Sequence, residues 1–198
     1  LAMAIVAAPA ALAGPYDEAV LADEPVAYWR FEEPEGATTA VDSGSSKTDG
    51  TYVEIGLAKP SASDVLGTAA EWGNDGDGSA HIDFGEPNAG ALGQLVNLRD
   101  EFVDDKKTSV EFWMNTSQEG NPDNWRAPVL FGEESGGDGD IQWGYLLPDG
   151  NVAFALNDAV HQHHQSEEPV NDQSWHHVVI TYDWEVGKSQ LYVDGRFE

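Results

Sequence analysis

The segment 175–195, WHHVVITYDWEVGKSQLYVDG, restricts the fold more than any other part of the chain. Val178, Ile180 and Tyr182 alternate with His177, Val179 and Thr181, and after a polar turn Leu191 and Val193 alternate with Gln190 and Tyr192. A period of two belongs to a β-strand, because successive side chains there point to opposite faces of a sheet. The segment therefore predicts strands over 176–182 and 190–193, the first packed on both faces.

The same signal recurs upstream. In SVEFWMN, residues 109–115, Val110, Phe112 and Met114 share one face while Glu111, Trp113 and Asn115 share the other. The first face reads as core. The second mixes an acid with an aromatic, which suits a partly covered sheet or the floor of a ligand groove. Short β-branched and aromatic runs between Gly, Asp, Asn and Pro clusters predict further strands over 26–31, 51–55, 69–72, 80–84, 128–131, 142–147, 152–156 and 160–165. A single brief helix is expected over 16–22. Pro148-Asp149-Gly150-Asn151 reads as a hairpin turn whose Gly supplies positive φ. Asp194-Gly195 is a second turn signal, but the sequence stops at Glu198, before a partner strand is expected, so the ending reads as truncated.

Many short strands with turn signals between them predict an all-β sandwich. Seven Trp, six Tyr and seven Phe supply a core, and with no Cys there are no disulfides. At 198 residues a single large domain over 14–198 is the simplest reading. Residues 1–13, LAMAIVAAPAALA, are small or apolar, too short to span a bilayer, and end in Ala11-Leu12-Ala13. That pattern predicts part of a signal peptide, cleaved after Ala13, and hence a secreted or cell-surface protein with no membrane span in the mature segment. Thirty-six acidic residues against nine basic ones give a net charge of −27, spread along the chain. Phosphate binding relies on clustered Lys and Arg, so this balance argues against nucleic acid as a partner.

Taken together, 175–195, PVAYWRFEE (25–33), VDSGSSKTDGTYV (41–53), SAHIDFG (79–85) and TSVEFWMNT (108–116) resemble the laminin-G-like branch of the concanavalin A-like lectin/glucanase superfamily. The resemblance implies a jelly-roll β-sandwich of two antiparallel sheets. It also implies a non-catalytic module that recognises carbohydrate or another extracellular ligand, supported by calcium, within a larger protein. An adhesive spacer without a small ligand is the alternative, and a polysaccharide hydrolase or lyase the third reading. Glucanases of the superfamily place carboxylates on one strand as Glu-x-Asp-x-(x)-Glu, and retaining hydrolysis needs the two about 5 Å apart. Here His81 stands in place of the first Glu, before Asp83, and Gly85 and Pro87 flank Glu86, so no catalytic residue is assigned.

Two loops have the oxygen-rich make-up that a calcium ion requires. One holds Asp42, Ser43 and Gly44 with Asp49, and the other is Asn74-Asp75-Gly76-Asp77-Gly78, giving Asp42, Asp49, Asp75 and Asp77 as expected metal ligands. Asp42 is the first choice, because in the resembled family ligands come from this segment and from the C-terminal strand. The alternative for both loops is solvated turn residues. Trp125, in a loop, and Trp143, in a strand, are the aromatics expected to stack on a sugar ring, with core packing as their alternative. His161, His163 and His164 read as an exposed polar strand, since no further ligand completes a transition-metal set nearby.

Overall fold

The computed structural model describes residues 15–31, 33, 37–47, 49–53, 56–60, 68–71, 81–83, 107–122, 129–133, 141–156 and 163–198. The chain divides into two compact units, Leu1–Gly85 and Glu86–Glu198. In the first, Pro15 opens helix α1 (Pro15–Ala22), where its fixed φ and missing N–H cost nothing, and Asp17 and Glu18 put negative charge in the first turn. Pro25 prevents the helix from continuing. The buried Asp17 carboxylate accepts hydrogen bonds from the Arg30 guanidinium at 2.6 Å and the Tyr28 hydroxyl at 2.8 Å, fastening the helix to the segment that follows it. Burial, and then the bond to Asp17, push the Tyr28 phenol above its ordinary range.

Strands β1 (Thr39–Ala40), β2 (Gly50–Val53) and β5 (His81–Asp83) form an antiparallel sheet in the order β1-β2-β5, and β3 (Gly56–Pro60) pairs with β4 (Thr68–Glu71) as a hairpin. The strand expected over 26–31 is reduced to one bridge, Trp29 to Asp42. Phe31 has a φ of 56°, outside the extended region, and the Tyr28 N–H is given to the Asp42 side chain at 2.8 Å rather than to a neighbouring strand.

The second unit is built from two four-stranded antiparallel sheets. One contains β7 (Val129–Glu133), β8 (Ile141–Leu146), β9 (Val152–Leu156) and β10 (His163–Gln165), in the order β10-β9-β8-β7. The other contains β6 (Lys107–Met114), β11 (His176–Asp183), β12 (Lys188–Val193) and β13 (Arg196–Phe197), in the order β13-β12-β11-β6. The predicted alternation on β11 is present, though unequal: Val178, Ile180 and Tyr182 are buried, while His177, Val179 and Thr181 are only partly covered. The buried side faces the other sheet. Phe154 on β9 lies 5.6 Å from Tyr182 and 4.5 Å from Trp143 between ring centroids, a tilted aromatic chain across the core.

Between Trp143 and Tyr145 the β8–β9 register shifts, so Gly144 is a bulge residue with φ 75°. A Cβ there would sit 2.5 Å from the Phe112 ring on the facing sheet, so Gly144 is what lets the two sheets approach. The β8–β9 turn forms as predicted: the Gly150 N–H donates to Leu147 O and the Leu147 N–H to Asn151 O, both at 2.9 Å, with Gly150 at φ 87°. At the other turn signal the expectation of a missing partner is corrected. Asp194 at φ 51° and Gly195 at φ 77° make the left-handed pair that a two-residue hairpin loop needs, and β13 returns to pair Phe197 with Tyr192 and Arg196 with Val193.

Two glycine substitutions separate backbone from packing effects. Gly195→Ala meets nothing within 4 Å and loses only its left-handed ease, about 1 kcal/mol. Gly144→Ala adds an overlap with Phe112 and is expected to cost about 2–4 kcal/mol in urea unfolding. Equal losses at the two positions would mean that the sheets do not meet at Gly144.

Candidate functional site

The pairing of β6 with β11 places Trp113 directly opposite His177 and Glu111 opposite Val179. These residues occupy the side of the sheet turned away from the buried Val178, Ile180 and Tyr182, because neighbours along a strand alternate faces. Trp113 and His177 stack with centroids 4.9 Å apart and planes 23° from parallel, and both remain partly open to solvent. The exposed Glu111 carboxylate lies 3.9 Å from His177 Nε2. Tyr192 on β12 is paired with Val179, which carries the aromatic character one strand further across the sheet. An aromatic stack beside a carboxylate offers flat apolar area for C–H faces and acceptors for hydroxyl groups, the two features of a sugar ring. Held on a ladder of eight paired residues, the group is positioned by the sheet rather than by a loop.

At the start of β11, on the opposite side of the sheet from His177, His176 lies between two acids. Its Nδ1 is 2.9 Å from Asp194 Oδ2 and its Nε2 3.1 Å from Asp172 Oδ1. Ionised carboxylates only accept, so the ring can donate to both acids only as an imidazolium. Partial burial favours the neutral ring, but the hydrogen bonds and charges of Asp194 and Asp172 outweigh it and raise the His176 pKa above 6.5. Asp172 is in turn held below its ordinary value, first by the Ser174 backbone N–H and then by His176. Asp194 also ties backbone: its Oδ1 accepts the His177 N–H at 2.9 Å, and its own N–H donates to His177 O at 2.8 Å. With both imidazole nitrogens taken by carboxylates, the cluster has no free base for a nucleophile, and its chemistry is that of a charged tie.

The residues expected from sequence are dispersed. Asp42 and Asp49 do meet, through the Asp42 N–H and Asp49 Oδ1 at 2.9 Å. The buried Asp42 carboxylate accepts from the N–H groups of Tyr28 and Gly44 on one oxygen and from the Ser46 hydroxyl on the other, which fixes the 42–46 turn against 25–28. Calcium takes six to eight oxygen ligands, and here N–H and O–H donors already engage both Asp42 carboxylate oxygens. No group of three or more His, Cys, Asp or Glu suited to a metal ion is present among the described residues. Asp75, Asp77, Trp125, Glu86 and His161 lie outside the described residues, as do the side chains of His81, Asp83 and His163. His164 is engaged, with Nε2 3.2 Å from Glu198 O.

Trp143 is corrected from a ligand contact to a core residue. It is 0 % exposed, with its ring against Phe154, and so has no face left for a sugar. The stack that is open to solvent belongs to Trp113, which the sequence placed on the correct face but did not single out.

A strand-built, antiparallel sandwich is the architecture of the concanavalin A-like class. A laminin G family model, described as concanavalin A-like lectin/glucanases superfamily, matches residues 78–198, and the chain belongs to that family. Comparison with curated proteins gave no match, and neither did comparison with solved structures. No helix among the described residues is long and apolar enough to cross a membrane.

The core assignment of Trp143 has a direct check. Its indole N–H is buried with no hydrogen-bond partner among the described residues, so Trp143→Phe keeps a ring in place while removing that donor, and should change unfolding free energy by less than about 1.5 kcal/mol. Trp143→Ala should cost about 3–5 kcal/mol. An alanine variant as stable as the parent would remove Trp143 from the core.

Proposed function

We propose that the chain is a non-catalytic binding module of a secreted or cell-surface protein and that it recognises carbohydrate. The observation that carries this reading is the stack of Trp113 on His177 beside the Glu111 carboxylate, on the outward face of a rigid sheet. Family membership supports a binding scaffold in general, while the ligand is argued from the side chains, since one fold hosts many functions. The small-x-small end of residues 1–13 supports the extracellular setting. By sequence, Trp125 is a further candidate for sugar stacking and Asp75 and Asp77 are candidate calcium ligands, while the donor-filled surroundings of Asp42 disfavour it. A protein ligand and a ligand-free spacer are the competing readings.

Array binding of the full chain to a broad glycan panel, with and without a chelator, tests the proposal. Specific hits are expected to fall about five- to tenfold in Trp113→Ala, consistent with the roughly 1–1.5 kcal/mol that an aromatic stacking contact supplies. Loss of the hits in chelator would support a calcium requirement, whereas retention would remove the ion from the account. Silence across the panel would favour the spacer, and hits unchanged by Trp113→Ala would move the site elsewhere.

A further inference from the structure

We propose that Asp172, His176 and Asp194 form a proton-held clasp that ties the loop before β11 to the β12–β13 turn, making the order of this end of the sandwich depend on pH. The proposal goes beyond ligand recognition and does not need it. Three chain segments converge on one ring: Asp172 comes from the loop before β11, His176 is the first residue of β11, and Asp194 is the first residue of the turn that reverses β12 into β13. His176 shares the buried parity of Val178, is paired with the buried Met114 on β6, and keeps only 14 % of its side-chain surface exposed. It therefore closes the end of the core while carrying a charge.

The groups facing the ring account for its behaviour. Asp172 approaches from the loop and Asp194 from the turn, while the residue paired with it on β6 is the uncharged Met114. A protonated ring donates to both carboxylates. A neutral ring has one N–H and one lone pair, so it satisfies one acid and turns the lone pair toward the other. Loss of a single proton thus replaces an attraction with a repulsion at one of the two ties.

The two ties are not equally backed. Asp194 keeps two backbone bonds to His177 whatever the ring does. The Asp172 side chain is otherwise held locally, by the Ser174 N–H at 2.8 Å, and the 171–174 loop by Asn171 Nδ2 to Gln118 O, Gln173 N to Thr116 O and Asn115 Nδ2 to Gln173 O. Deprotonation is therefore expected to release the Asp172 tie first. The sign follows from linkage: a His whose folded pKa is raised contributes its stabilisation fully below the unfolded pKa and loses it as pH rises through the folded value. Asp172, held low, contributes above its unfolded pKa and is lost as pH falls through its folded one. The clasp is closed between those limits and opens as pH rises through the raised His176 value or falls through the lowered Asp172 one.

The test is a side-chain nitrogen NMR titration of the full chain between pH 5 and 9, with backbone amide exchange followed in parallel. In the parent, His176 should show both nitrogens protonated at pH 6 and titrate above its ordinary 6.5. Asp172→Asn and Asp194→Asn should each lower the midpoint. Exchange at 172–174 should speed up across the parent midpoint, and in His176→Gln it should show no step there. Retained core signals from Ile180 and Leu191 would show that each variant is folded, and the parent titration stands alone if one is not. A midpoint at or below 6.5, a neutral ring at pH 6, or a midpoint unmoved by both Asp→Asn changes would overturn the clasp.

Discussion

The pairing of β6 with β11 sets the terms for the second unit. Eight residue pairs run from His176 opposite Met114 to Asp183 opposite Lys107, and the ladder places Val110, Phe112, Val178, Ile180 and Tyr182 on one side and Glu111, Trp113, His177 and Val179 on the other. A slip of one residue would turn every side chain to the wrong face, exposing Ile180 and burying Glu111. Each large aliphatic or aromatic side chain buried here contributes about 1.5–3 kcal/mol, far more than any single surface contact, so the core face decides the register. The outward stack of Trp113 on His177 is a consequence of that choice.

The same ladder propagates sideways. Counting outward from the 184–187 turn, Asp183 meets Lys188 and Val178 meets Val193, which brings Asp194 level with His177. Asp194 can then serve the His177 backbone with one carboxylate oxygen and the His176 ring with the other. The proposed binding face and the charged tie are in this way adjacent features of one piece of sheet geometry. On the opposite side of the core, the Gly144 bulge admits the Phe112 ring and keeps the facing sheet in contact.

The fold was largely legible in the chain, because burial on one face writes a period of two into strands such as β6 and β11. What sequence missed was governed by other physics. The strand expected over 26–31 yielded to a side-chain acceptor, Asp42, which took the Tyr28 N–H, and to a left-handed Phe31. β13 was overlooked because two residues carry no periodicity, although Asp194-Gly195 signalled the turn. For the site, alternation placed Trp113 on the outward face, while Trp143, on β8 with residues 142–146 all buried, serves the core. The Asp172–His176–Asp194 cluster joins residues brought together by a hairpin register, which composition does not reveal; the register counted from the turn would have done so.

The central claim is that the outward face of the β6–β11 pair receives the ligand. Backbone and indole chemical-shift mapping, with the assigned chain titrated by the best-binding oligosaccharide, addresses it most directly. The largest shifts are predicted at Glu111, Trp113 and His177, including the Trp113 indole N–H, with little change at the buried Trp143. Shifts confined to the 42–49 segment or to the β8–β9 turn, or no shift with any oligosaccharide at millimolar concentration, would contradict it.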